Sequence, residues 1–76
     1  MTMKVLIDDI SKIKRFTSIA LSLPFDVDVV SGRYVCDAKS IMGILSLDVA
    51  KPVGLRFDME NEDRVRFAFS EFEVRT

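Results

Sequence analysis

Histidine is absent from all 76 residues, and so is tryptophan. Without an imidazole the chain has no histidine general base, no Cys/His pair, no zinc-ligand spacing and no histidine relay for a phosphoryl group. Cysteine occurs once, at Cys36, so no disulfide closes within the chain, and a reducing cytoplasm is the expected setting. In mid-strand, Cys36 reads as a small core or sheet residue and not as a reactive thiol. Three scattered glycines make no phosphate-cradling loop. No apolar run approaches the roughly 20 residues of a membrane span, and the first residues lack the basic-then-apolar order of a signal peptide. Neither sign of charge is in excess: 11 Lys+Arg against 12 Asp+Glu leave a formal net charge of −1. Nucleic acid and anionic membrane are thereby disfavoured as partners. The expectation is a non-enzymatic chain with no cofactor, no metal, no nucleic acid and no membrane.

What is present is a folding composition. Apolar residues make up 49% and charged residues 30%, and the length gives one domain, residues 1–76, with no room for a second core. Met3 to Ile7 is an apolar, β-branched run and reads as a first strand. Asp8, Asp9 and Ser11 are residue types that start a helix, and Ile13, Phe16, Thr17, Ala20 and Leu23 follow at helical spacing until Pro24 stops it. Lys12, Lys14 and Arg15 on the far side of that helix read as a solvated face or a small site for a phosphate or an acidic partner, the first being favoured.

Phe25 to Val29 alternates apolar with acidic residues, as a half-buried strand does. Ser31-Gly32-Arg33 turns the chain, and Tyr34 to Ala38 returns as a third strand. Val53, Leu55, Phe57 and Met59 alternate with Gly54, Arg56 and Asp58 as a fourth. Asp26, Asp28, Asp58 and Glu60 are then outward, solvated carboxylates. The last segment, 64–74, fits both periods: Val65, Ala68, Phe69 and Phe72 make a helix, whereas Val65, Phe67 and Phe69 make a strand. The acidic residues before it favour helix. The order is β-α-β-β-α-β-α, an α+β fold with a four-stranded, mostly antiparallel sheet and helices on one face.

Between the third and fourth strands lies the stretch that carries the functional reading. Ser40 opens a short helix with no internal charge that runs to about Asp48. At 100° per residue, Ile44 and Leu47 fall on one face and Ile41, Met42 and Leu45 on another. One face packs on the sheet; the other is expected to be exposed, as a partner-binding patch is. Gly43 weakens the helix by about 1 kcal/mol relative to alanine and could admit a partner closely.

The segment Ala-Lys-Ser-Ile-Met-Gly-Ile-Leu-Ser-Leu, Ala38 to Leu47, resembles the regulatory-serine segment of the HPr phosphocarriers of the bacterial sugar phosphotransferase system. The Ser31-Gly32-Arg33-Tyr34 turn and the strand after Pro52 sit where that family has its hairpin and fourth strand. The resemblance implies an HPr-like open-faced β-sandwich in a bacterial, cytoplasmic protein. It also implies phosphorylation at Ser40 by an HPr kinase-like enzyme, followed by binding to a transcription regulator, with Ile41, Met42 and Leu45 as contacts. Ser40 also has a simpler role open to it, as the cap of its helix.

The family's phosphocarrier histidine matches Asp9, its arginine Ser11 and its proline Lys12. The chain thus departs from the carrier motif at all three positions. It is similar in this to a branch of the family that lacks the histidine and keeps the serine. Two functions follow as alternatives. One is a regulatory protein-binding module, a monomer or weak homodimer. The other is a phosphoryl carrier using a non-histidine acceptor such as Asp9, since a carboxylate can form an acyl phosphate.

Overall fold

The computed structural model describes residues 2–74. Four strands, β1 (Thr2–Val5), β2 (Asp28–Ser31), β3 (Tyr34–Asp37) and β4 (Val53–Arg56), form one sheet in the order β1-β4-β2-β3, with every neighbouring pair antiparallel. Three α-helices, α1 (Ile10–Ser22), α2 (Ile41–Leu45) and α3 (Glu62–Ala68), complete the α+β open-faced sandwich.

Alternation decides which side of the sheet is covered. Met3, Val5, Val29, Val53 and Leu55 are buried, while the residues between them, Lys4, Asp28, Val30, Gly54 and Arg56, belong to the uncovered face. Ile13, Phe16 and Ala20 of α1, Ile44 of α2 and Val65 of α3 are buried in one continuous core with those strand residues. Phe16 stacks at a tilt on Phe69, ring centroids 4.6 Å apart, and meets the edge of Phe72 at 5.8 Å. Gly32 carries the positive φ of 59° that a two-residue hairpin loop with glycine first requires, and Ser31 and Tyr34 pair across it.

Several boundaries differ from those the sequence suggests. β2 starts at Asp28 and not at Phe25, although Val27 is already buried and its carbonyl accepts a hydrogen bond from Ala38 N. β4 ends at Arg56; Met59, expected to be a buried strand position, is 71% exposed in a single 3₁₀ turn, Met59–Asn61, so Asp58 and Glu60 are loop and turn carboxylates.

The C-terminal segment is the helix that the acidic residues before it favour and not the strand, since Phe67 is exposed while Val65 and Phe69 are buried. It is helical through Ala68, turns once as a 3₁₀ helix at Ser70–Phe72, and then bridges β1. Leu6 N donates to Phe72 O and Val74 N to Lys4 O, with Glu73 opposite Val5, so this end covers the free edge of β1. Arg66 secures it, donating to Glu62 at 2.9 Å and to Glu73 at 3.0 Å.

Candidate functional site

Ser40 is the N-cap of α2. Its backbone is extended, and its exposed hydroxyl oxygen accepts a hydrogen bond from Gly43 N at 3.1 Å. The turn entering it is built by Asp37, whose carboxylate accepts from Lys39 N at 2.9 Å and whose carbonyl accepts from Ser40 N at 2.9 Å. The Lys39 ammonium lies 4.0 Å from the Asp26 carboxylate. The cation beside Ser40 is therefore shared with an acidic neighbour.

The helix after Ser40 is shorter than its apolar run. It ends at Leu45 because the Ser46 hydroxyl donates back to Gly43 O at 2.6 Å and closes the last turn. Ile44 is fully buried and Leu47 half-buried, which is the core-facing side. On the other side Met42 is 75% exposed and Leu45 44% exposed. Ile41 does not join them. It is half-buried against the core, so the exposed apolar surface contracts from three residues to Met42 and Leu45.

Gly43 has an intramolecular reason. A Cβ there would stand 3.0 Å from Cys36 Cβ and 3.1 Å from Ser40 Oγ, so the glycine lets α2 lie directly on β3. Cys36, half-buried under this contact, has its thiol pKa pushed up by burial and then by the carboxylates of Asp37 and Asp28. It stays a protonated packing residue.

At the start of α1, Asp9 is the N-cap. One carboxylate oxygen accepts from Lys12 N at 2.8 Å and from Ser11 Oγ at 3.0 Å, and the first of these bonds is the main reason its pKa is lowered. Asp8 pairs with the Lys12 ammonium at 2.8 Å, which lowers the Asp8 pKa and raises that of Lys12. Arg15 pairs with Glu71 at 3.2 Å and lies 5.8 Å from the centre of the Phe72 ring. Of the basic cluster, two members are thus engaged by this chain's own carboxylates, and the surface is a balanced, solvated face.

Among the described residues, the most exposed large apolar side chain, Phe67 at 86%, is one that sequence reasoning missed. The signal was available: with Val65, Ala68, Phe69 and Phe72 turned inward at helical spacing, position 67 has only the outside left. Among the described residues no group of acidic, cysteine or histidine side chains could hold a metal ion, and no helix is long and apolar enough to cross a membrane.

No family model matches this chain, and no curated protein does. Its fold is similar to that of HPr-C-His from Thermoanaerobacter tengcongensis, a crystal structure to which it is 23% identical, with a TM-score of 0.77 over 93% of this chain and 88% of that one. The fold is HPr-like.

Proposed function

We propose that this protein is a non-enzymatic regulatory module of the phosphotransferase system, which binds protein partners through α2 and is switched by phosphorylation of Ser40. The observation that carries this reading is the placement of an exposed serine hydroxyl at the first turn of a helix whose outer face presents Met42 and Leu45. A flexible thioether beside a leucine makes an adaptable apolar contact, and a phosphate added one turn away changes what that contact tolerates. The HPr-like fold supports the same reading, because a serine in the corresponding segment is the regulatory site of the family this segment resembles.

Phosphorylation would replace a neutral cap with a dianion near Asp37, and Lys39 together with the Gly43 N–H would carry the compensation. The test is incubation with HPr kinase and ATP followed by intact-protein mass measurement. One added phosphoryl group, lost in Ser40→Ala, supports the switch; an unchanged mass removes it.

The second reading is a phosphoryl carrier with Asp9 as acceptor. Asp9 already spends one oxygen on the cap, so acylation there would compete with the start of α1. Incubation with phosphoenolpyruvate and enzyme I separates the two, since an acyl phosphate is cleaved by hydroxylamine and a serine ester is not.

A further inference from the structure

A second apolar surface lies away from α2. While α2 rests on β3, the chain following α3 runs along β1 at the opposite edge of the sheet. On the outer side of α3, Phe67 stands 86% exposed beside a shallow depression that it lines together with Leu23, Asp63, Arg64 and Ala68. The depression is open to solvent and offers about 340 Å³. A cavity of roughly 150 Å³ already admits a benzene ring, so a phenyl side chain fits.

The two charged residues at this rim have opposite signs and, among the described residues, form no ion pair. Arg64 holds its guanidinium 5.5 Å from the centre of the Phe25 ring, which fixes the cation without neutralising it. Knob, depression, cation and anion therefore occupy one patch. A two-fold axis sets residue i against j and j against i, so a patch that carries both a knob and a depression, and both a cation and an anion, holds the two halves of each contact that a second copy would make.

We propose that the outer face of α3 joins two copies of this chain about a two-fold axis, each Phe67 filling the depression beside the other's Leu23 and Ala68, with Asp63 opposite Arg64 of the second copy. The patch is small, which makes the dimer weak and concentration-dependent, in the class of transient contacts burying less than about 1,200 Å² in all.

Sedimentation velocity of the full chain from about 10 µM to about 1 mM reads it directly, that being the range of weak association. The mass is expected to rise from one chain toward two. Phe67→Ser abolishes the rise while leaving the thermal melt unchanged. Asp63→Arg and Arg64→Asp each weaken dimerisation by about tenfold or more, and the double variant restores it by exchanging the two signs. A chain that stays monomeric to the highest concentration overturns the proposal, as does association that survives Phe67→Ser or a double variant no better than the singles. Monomeric chain that instead floats with phosphatidylglycerol vesicles in a Phe67-dependent way also overturns it, and assigns the patch to a lipid surface.

Discussion

Ser40 and Gly43 show how much a single side chain, or its absence, decides at the candidate site. Replacing a capping serine by alanine costs about 1 kcal/mol, because Gly43 N–H loses its acceptor. Ser40→Ala should therefore lower the unfolding free energy by about that amount in urea titrations, while Ser40→Asp, which still caps, should lie close to wild type. Equal losses in the two variants would deny the cap. At Gly43 two effects oppose each other. Alanine gains about 1 kcal/mol of helix propensity, yet its Cβ would meet Cys36 Cβ at 3.0 Å, and overpacking of this kind costs about 1–3 kcal/mol. Gly43→Ala is expected to be net destabilising by about 1 kcal/mol; a more stable variant would show that β3 yields at no cost. Neither the Cys36 contact nor its sign could be read from the sequence, since both depend on how closely the helix approaches the strand.

At the scale of the element, α1 begins with a carboxylate whose ionised form is held by a backbone N–H and a hydroxyl. Its pKa is lowered below 3.8, so the stabilisation is complete above that value and is lost as pH falls toward the folded-state pKa. Asn caps equally well and does not titrate. Asp9→Asn should therefore lose less stability than wild type between about pH 5 and pH 2, and parallel losses would contradict this assignment. The start of this helix was legible because capping is local chemistry: Asp9, Ser11 and the spacing of Ile13, Phe16 and Ala20 suffice. The extent of α2 was less so. Its apolar run reaches past Leu47, but the Ser46 hydroxyl returns to Gly43 O and ends the helix at Leu45, a competition that hydrophobic periodicity does not register. The inward turn of Ile41 follows from helical geometry, since at 100° per residue it stands about 60° from the buried Ile44 whereas Met42 stands about 160° away.

For the molecule as a whole, the strand alternation and the two-residue hairpin at Gly32 were sufficient to give the antiparallel sheet and its buried side. The C-terminal segment stayed ambiguous because Val65 and Phe69, four residues apart, share a face in a helix and in a strand alike, and the outward Phe67 beside an inward Ala68 is what marks the helix. That segment supplies Phe69 and Phe72, which pack on Phe16. A chain of this size holds about 4–11 kcal/mol of net stability. Phe69→Ala, costing about 3–5 kcal/mol at a fully buried site, should remove about half of it and bring the thermal midpoint down steeply; a loss under about 1 kcal/mol would mean that the helical layer does not depend on this aromatic cluster.

The face of α2 is the part of this fold on which the regulatory reading rests. Its most direct examination is a titration of isotope-labelled protein with HPr kinase, followed by backbone amide shifts, for wild type and for the Met42→Ser, Leu45→Ser double variant. The expected result is a cluster of shifted amides over residues 40–46 and binding at least about tenfold weaker in the variant, as for an apolar contact near the centre of an interface. Shifts gathered elsewhere, or unchanged affinity after both side chains are truncated, would contradict it.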